Sequence, residues 1–116
     1  MIMKTSETYY TVGEISALTG VTRKTLFYYD RTGLLKPVRR YGSQQHKLYD
    51  GESLIRLKEI IEYREAGLSI AEIRALVNDP DCDKATILYA ALERIMSLRD
   101  EKEEEIRRLK RMIEFL

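Results

Sequence analysis

Two pairs of cations are the residues of this sequence best suited to chemistry. Arg23 and Lys24 directly follow Thr22, a residue type that commonly caps the start of a helix, so both side chains are expected to project from a first helical turn. Arg39 and Arg40 precede a stretch of small and amide side chains that is typical of a flexible loop. Cationic side chains bind phosphates, and a helix start that enters the major groove can also read base edges. The two pairs therefore predict DNA binding.

Two short helices joined by a glycine turn are expected to position the first pair. Thr11 and Glu14 form a capping box that starts the first helix, and Gly20 provides the permissive backbone that ends it. Ile15 and Leu18 lie three residues apart and are predicted to share the inward face of this helix. The second helix would begin at the first pair of cations and present its first turn to DNA. This order is typical of a helix-turn-helix.

A β-hairpin wing is predicted to carry the second pair. Residues 34–37 are expected to form its first strand, and residues 47–49 return antiparallel to it. The connection contains Tyr41, His46 and two glutamines, which suit contacts to phosphate and the minor groove but also fit a solvated surface hairpin. The single histidine has no nearby carboxylate or cysteine cluster, so we interpret it as a surface residue. Tyr49 either contacts the DNA backbone or belongs to the core.

A second pair of helices is predicted after the wing. The first is expected to run from its cap at Asp50 to Ala66, and a capping box formed by Ser69 and Glu72 opens the second. The inward positions, spaced for one helical face, are predicted to be Leu54, Leu57, Ile61, Ile70, Ile73 and Val77. Arg64 lies near the end of the first of these helices, where it could either contact a phosphate or pair with a neighbouring glutamate on the surface.

A long helix is predicted for residues 83–116, with Asp83 as its cap. Apolar residues recur along it at alternating intervals of four and three and form one seam, which is interrupted at Arg99 and Lys102. The seam residues are Leu88, Leu92, Ile95, Ile106, Leu109 and Ile113. Such a helix, with about thirty residues, is about 45 Å long. The seam therefore needs a partner, and the simplest one is the same helix of a second copy.

Composition limits the class of protein. The 116 residues are 44% hydrophobic and 34% charged, which is enough for one modest core but not for two full domains. Residues 1–50 contain eight basic and four acidic residues, a net charge of +4, whereas the whole chain carries +1. The basic half is expected to bind phosphate, and the acidic half is expected to bind the same region of a second copy. No apolar run could span a bilayer and no secretion signal begins the chain, so the expected location is the cytoplasm, at the nucleoid.

Several motifs occur in an order that resembles the amino-terminal domain of MerR-family transcriptional regulators. They are Thr11-Val12-Gly13-Glu14, Thr19-Gly20-Val21-Thr22, Thr25-Leu26-Phe27-Tyr28-Tyr29-Asp30 and Gly33-Leu34-Leu35-Lys36-Pro37, followed by similarity in 47–49 and 66–73. The resemblance implies a mainly α fold, with a winged helix-turn-helix DNA-binding domain in residues 1–78 and a coiled-coil dimerisation helix in residues 83–116. Within the domain, the helix-turn-helix would cover 10–30, the wing 34–49 and the second helix pair 51–77.

The resemblance also implies a function. A homodimer joined through antiparallel C-terminal helices would bind a pseudo-palindromic promoter site on double-stranded DNA and distort it, which changes how RNA polymerase uses the promoter. The residues expected to bind DNA are Thr11, Thr22, Arg23, Lys24, Phe27, Tyr28, Arg39, Arg40, Tyr41, Lys47, Tyr49 and Arg64. The six seam residues are expected to form the dimer. No cofactor and no catalytic residue are expected, because the sequence lacks a nucleophile with a base and a glycine-rich phosphate loop.

Two positions depart from the family pattern. Phe27 stands where the family usually has arginine, and His46-Lys47 stands where it usually has tyrosine and arginine. An aromatic side chain at position 27 could contact a thymine methyl or simply pack, and lysine at position 47 keeps the charge but loses the planar fork of arginine. The sequence preference is therefore expected to differ from that of relatives.

Two other functions stay open at this point. An adaptor could use the helix-turn-helix to bind a protein partner, and a thiol or metal sensor could use Cys82. One cysteine per chain offers too few soft ligands for a closed metal site, so no metal is expected. The chain also lacks the larger carboxyl-terminal domain that drug-sensing relatives carry, which fits either a regulator without a ligand or a truncated chain.

Overall fold

The computed structural model describes residues 8–116, which divide into two compact units. The first unit ends at Pro80 and the second comprises Asp81–Leu116. The elements of the first unit are β1 (Tyr10–Thr11), α1 (Val12–Thr19), α2 (Arg23–Thr32), β2 (Arg39–Tyr41), β3 (His46–Tyr49), α3 (Gly51–Glu65) and α4 (Ile70–Asn78). The second unit contains α5 (Lys84–Glu114). The fold is mainly helical, as predicted. Residues 1–7 of the predicted DNA-binding domain, including Lys4 and Glu7, lie outside the described residues.

Both predicted capping boxes are confirmed. At α1, the backbone N–H of Thr11 donates to Glu14 Oε1 (3.0 Å), and the N–H of Glu14 donates to Thr11 Oγ1 (3.1 Å). At α4, the corresponding bonds join Ser69 and Glu72 at 2.7 and 3.2 Å. Each box satisfies two amides that a helix start leaves without partners, which is why these short helices begin where they do. Gly20 ends α1 in the left-handed conformation (φ 79°), as expected.

The sheet has three antiparallel strands in the order β1-β3-β2, so β3 is its central strand. The predicted strand at residues 34–37 is wrong. Gly33 ends α2 in the left-handed conformation (φ 77°), and the amides of Leu34 and Leu35 both donate to the carbonyl of Tyr29, at 2.9 and 3.2 Å. These bonds fold the chain back onto the helix end, and Pro37 has no N–H to give to a ladder. The hairpin strand therefore starts later, at β2.

The core of the first unit takes side chains from its helices, its sheet and the loops between them. The buried apolar residues are Ile15, Leu26, Tyr29, Leu34, Leu35, Tyr49, Leu57, Ile60, Leu68, Ile73 and Leu76. On α3, residues 53, 57 and 60 fall within about 60° of arc, so Ile60 rather than Ile61 completes the buried face. The prediction that Leu18 points inward is wrong, since this side chain is 59% exposed. It lies about 60° round α1 from Ile15, beyond the edge of the buried face.

The long helix begins where the sequence predicts. The N–H of Thr86 donates to the side chain of Asp83 (3.2 Å), which caps α5, and the helix then continues for 31 residues. Within residues 8–116, no helix combines the length and apolar character that crossing a membrane requires.

Candidate nucleic-acid interface

The amino terminus of α2 presents the first pair of cations. Thr22 caps the helix by accepting from the N–H of Thr25 (3.1 Å), and Arg23 and Lys24 are both exposed in the first turn. The guanidinium of Arg23 extends back over Gly13 of α1, where a β-carbon would lie only 2.8 Å from Nη2. Arg23 therefore lies beside the amino ends of both helices, whose partial positive charge also favours an anion.

The next turn of α2 presents two aromatic side chains. Phe27 and Tyr28 are 40% and 41% exposed, which is consistent with a role at the surface. The Nζ of Lys47 lies 4.5 Å from the centroid of the Phe27 ring, and the guanidinium of Arg31 lies 5.8 Å from the Tyr28 ring. Both distances suit cation–π contacts. The aromatic residue at position 27 therefore holds a wing lysine against the recognition helix, α2.

The wing consists of β2, β3 and the turn between them. Arg39, Arg40 and Tyr41 are all exposed, as the predicted contacts require. The Arg39 guanidinium lies 5.1 Å from the Tyr9 ring, and the rings of Tyr41 and His46 are 5.2 Å apart. Stacking of this kind limits the freedom of exposed side chains, which lowers the entropy that they would lose on binding a partner.

The carboxylate of Asp30 lies at the junction of the recognition helix and the wing. Arg40 Nη2 donates to Asp30 Oδ1 at 2.8 Å, Lys47 Nζ lies 3.7 Å from Oδ2, and Lys36 Nζ lies 3.9 Å from Oδ1. Burial of the side chain acts to raise the pKa of Asp30, but the hydrogen bond and charge of Arg40 and the two lysine charges outweigh it and lower the pKa. Asp30 is therefore held ionised among three cations.

Sequence reasoning missed the role of Asp30. A signal was present, because Asp30 is the one acidic residue among residues 15–49, a stretch that contains seven cations. An isolated carboxylate in a basic segment indicates a specific partner. The partners themselves lie six, ten and seventeen residues further along the chain, so their identity depends on the fold.

The predicted DNA contact of Tyr49 is wrong, because the structure places this residue in the core. Tyr49 is fully buried, since β3 is the central strand and this position pairs with Tyr10 of β1. Burial, reinforced by the negative charge of Asp30 and opposed by Arg40, raises the pKa of Tyr49 to about 12. Its hydroxyl has no hydrogen-bond partner within the described part of the chain.

Arg64 extends the surface on the second helix pair. It lies in the last turn of α3, where it is exposed and close enough for its charge to act on the hydroxyl of Tyr29 on the recognition helix. Burial raises the pKa of Tyr29, and the nearby Arg64 guanidinium only partly opposes this effect. The guanidinium thus lies near the recognition helix and is accessible to solvent.

The seam of α5 is largely uncovered. Leu88, Leu92, Ile106, Leu109 and Ile113 are between 42% and 63% exposed, and Ile95 is partly exposed. The ion pair of Arg107 with Glu104, at 2.7 Å, lies outside these positions. Cys82 is a free, partly buried thiol, and residues 8–116 contain no group of three or more histidine, cysteine or acidic side chains arranged to hold a metal.

A winged helix-turn-helix with exposed cations on its recognition helix and wing defines a DNA-binding class of protein. Residues 10–79 match the family described as MerR HTH family regulatory protein. The match covers more than half of the chain, so the chain belongs to the MerR family of DNA-binding transcriptional regulators. Members of this family regulate transcription and are not enzymes.

Three relatives illustrate the similarity. The chain is 42% identical over 74 residues to the HTH-type transcriptional activator TipA of Streptomyces coelicolor, a match that covers 64% of this chain and 29% of TipA. It resembles MtaN, the amino terminus of the Bacillus subtilis multidrug transporter activator, with a TM-score of 0.77 and 28% identity over 90% of this chain and 97% of MtaN. EcmrR, in a complex with DNA, gives a TM-score of 0.83 and 25% identity over 90% of this chain and 38% of EcmrR. The chain therefore spans less than a third of the length of TipA.

Proposed function

We propose that two copies of this chain bind a pseudo-palindromic promoter site through their recognition helices and wings and distort the DNA to control transcription. The observation that supports dimer formation is the exposed seam of α5. Isolated apolar residues are common on protein surfaces, but an apolar seam that extends along a 31-residue helix with one interruption, at Arg99 and Lys102, is typical of an interface.

A second copy is the partner that this seam fits. Its apolar positions repeat at intervals of four and three, which lets the seam of an identical helix interlock with it. A helix of this size is about 46 Å long. Its two ends are therefore farther apart than successive major-groove turns on one face of DNA, which are about 34 Å apart. We propose the antiparallel arrangement of the family, in which a two-fold axis relates two DNA-binding units.

The DNA-binding surface of each copy would combine the recognition helix, the wing and the end of α3. Arg23 and Lys24 would approach base edges, whereas the wing cations would contact the backbone. The residues proposed to contact DNA are Thr11, Thr22, Arg23, Lys24, Phe27, Tyr28, Arg39, Arg40, Tyr41, Lys47 and Arg64, eleven of the twelve that the sequence suggests. Tyr49 is not among the proposed contacts because it is buried.

Control of transcription would come from DNA shape. A dimer that holds two half-sites against one rigid helix pair bends or untwists the DNA between them, and this alters how RNA polymerase meets its two recognition elements. Because its proposed target is promoter DNA, the protein would act in the cytoplasm.

Dimerisation is tested by placing a charge in the seam. Leu92→Glu is expected to shift the protein from dimer to monomer in sedimentation equilibrium, because it buries an unpaired carboxylate in the interface. Ala90→Glu is the matched control, since residue 90 is exposed, lies outside the seam and receives the same charge. Equal dissociation constants for the two variants would contradict the proposed interface.

DNA recognition is tested by sequencing duplexes that the purified protein selects from a random pool. Enrichment of two inverted half-sites is expected, and Leu92→Glu should lose the preference for the paired arrangement. Electrophoretic mobility of permuted fragments carrying the site then measures bending. Recovery of no sequence, together with an absence of salt-dependent DNA affinity, would favour the adaptor function instead.

A further inference from the structure

Asp30 faces two wing cations that would otherwise repel each other. Arg40 and Lys47 are direct partners in the β2–β3 ladder, so their side chains project from the same face of the sheet. Like charges directly opposite each other destabilise an antiparallel pair. This hairpin therefore needs a counter-ion to hold its register and position.

The carboxylate of Asp30 provides that counter-ion from the recognition helix. One oxygen accepts from Arg40 at 2.8 Å, and the other lies 3.7 Å from Lys47 Nζ. The Asp30 side chain is only 10% exposed, so water and salt screen these interactions less than they screen a surface ion pair. The two strands of the wing are thus tied to one residue of α2.

A second contact holds the same lysine. Phe27 precedes Asp30 by three residues and lies on the same side of α2, and its ring centroid is 4.5 Å from Lys47 Nζ. Lys47 is therefore held between an aromatic ring and a carboxylate, both on the recognition helix. The side chain of Lys47 is 20% exposed and that of Arg40 is 37% exposed, so both cations keep an open side toward solvent.

We infer that Asp30 is a positioning residue for specific DNA recognition, because it fixes the wing cations relative to the recognition helix. Its negative charge opposes the general attraction of the surface for phosphate, so it weakens binding to any DNA. The geometry that it fixes favours a site whose groove spacing matches both the helix and the wing. Asp30 therefore lowers the affinity for DNA of any sequence and raises the preference for the matching site. This inference rests on the proposed sequence-specific site.

Asp30→Asn separates these two effects, with the full chain titrated against its selected site and an unrelated duplex. Affinity for the unrelated duplex is expected to rise, because a negative charge is removed. Affinity for the selected site is expected to fall, so that the ratio of the two drops roughly tenfold, the scale of one lost base contact. Glu59→Gln removes an equal charge from an exposed position on α3, and it should leave the ratio unchanged.

A rise of both affinities by the same factor in Asp30→Asn and Glu59→Gln would overturn the inference, since only charge would then matter. Asp30→Glu keeps the charge but moves the carboxylate by one methylene, and it serves if Asp30→Asn folds poorly. This variant should lose affinity for the selected site and retain affinity for the unrelated duplex. Loss of neither would also overturn the inference.

Amide hydrogen exchange gives a readout that needs no DNA. In Asp30→Asn, the amides of β2 and β3 are expected to exchange about tenfold faster, with those of α3 unchanged, because the wing loses its anchor. Unchanged exchange in the wing would overturn the inference. If the unmodified chain shows no site preference, the proposed function fails, but the exchange rates still decide whether Asp30 holds the wing.

Discussion

The guanidinium of Arg23, at the start of the recognition helix, lies directly over Gly13 of the preceding helix. A β-carbon at position 13 would approach Arg23 Nη2 to 2.8 Å, closer than a side-chain carbon normally comes to another group. The clashing atom is the far end of a flexible side chain, so a methyl group there would displace the guanidinium and leave both helices in place. Gly13 thus keeps open the position of a candidate base-reading cation.

Gly13→Ala is therefore expected to separate stability from DNA binding. The thermal midpoint should rise or stay constant, because alanine is favoured over glycine in a helix by up to about 1 kcal/mol. Affinity for the selected site should fall by roughly fivefold to tenfold, about 1 kcal/mol, in a fluorescence anisotropy titration. Gly51→Ala, where an added β-carbon meets nothing within 4 Å, is the control. Unchanged affinity in Gly13→Ala would mean that Arg23 binds DNA in another conformation.

Arg23 and Arg39 are expected to differ in what their removal changes. Arg23→Ala should weaken binding to the selected site by about 1–3 kcal/mol and binding to unrelated DNA much less, since it is proposed to read a base. Arg39→Ala should weaken both and reduce the slope of log K against log salt by about 0.9, the value for one lost phosphate contact. Titrations across a salt series measure both quantities. Identical behaviour of the two variants would remove this assignment of roles.

The features that the sequence predicted correctly depend on neighbours in the chain. The capping boxes at Thr11 and Ser69 need a partner only three residues away, so residue type and spacing identify them. The glycine at position 20 and the cap at Asp83 are local for the same reason. The exposed seam of α5 also follows from a simple repeat.

The features that the sequence did not predict depend on contacts between distant residues, or on which of two possible partners bonds a backbone amide. Residues 34–37 have a strand-like composition, but the amide of Leu34 is taken by the carbonyl of Tyr29 at the helix end. Tyr49 is buried because β3 pairs with β1 and so becomes the central strand. β1 has only two residues, too few for an alternating pattern that would reveal this strand in the sequence. The link between Asp30 and Arg40 joins two residues ten positions apart, one on α2 and the other on β2. Spacing alone could not identify these three relationships.

The hydroxyl of Tyr49 is expected to contribute nothing to stability. It is buried without a hydrogen-bond partner among the described residues, which costs free energy, so Tyr49→Phe should be neutral or stabilising in urea unfolding. Tyr49→Ala should lose about 3–5 kcal/mol through the cavity that it leaves. Tyr49→Phe should also leave DNA affinity unchanged, in agreement with its burial. A weaker DNA complex in this variant would revive the contact that the structure excludes.

Acid should remove the stabilising effect of Asp30. Arg40 and the two lysines hold the pKa of Asp30 below its ordinary value of 3.8 despite burial, so ionised Asp30 favours the folded state. This contribution is complete above pH 3.8 and is lost as the pH falls through the lower pKa of the folded state. The difference in unfolding free energy between the unmodified chain and Asp30→Asn should therefore stay constant from neutral pH to about 4 and shrink below it. A difference that grows in acid would contradict the ion pairs.

The two cations in the middle of the seam are expected to set the alignment of the dimer at the expense of its stability. Arg99 pairs with Asp100 at 3.2 Å and Lys102 with Glu105 at 3.0 Å, so each of these cations has an acidic partner on its own helix. Replacing both cations with leucine makes the seam continuous, which should tighten the dimer at least tenfold, since each buried leucine adds about 1.5–3 kcal/mol.

The same change should loosen the choice of register and orientation, because polar positions in a seam are what exclude other alignments. Sedimentation equilibrium measures the tighter association of Arg99→Leu with Lys102→Leu. Cysteine cross-linking at one helix end then reports whether parallel pairs form beside antiparallel ones. Arg107→Leu with Lys110→Leu places the same exchanges outside the seam and should change neither result. A weaker dimer in the seam variant would mean that Arg99 and Lys102 make attractive contacts across the interface.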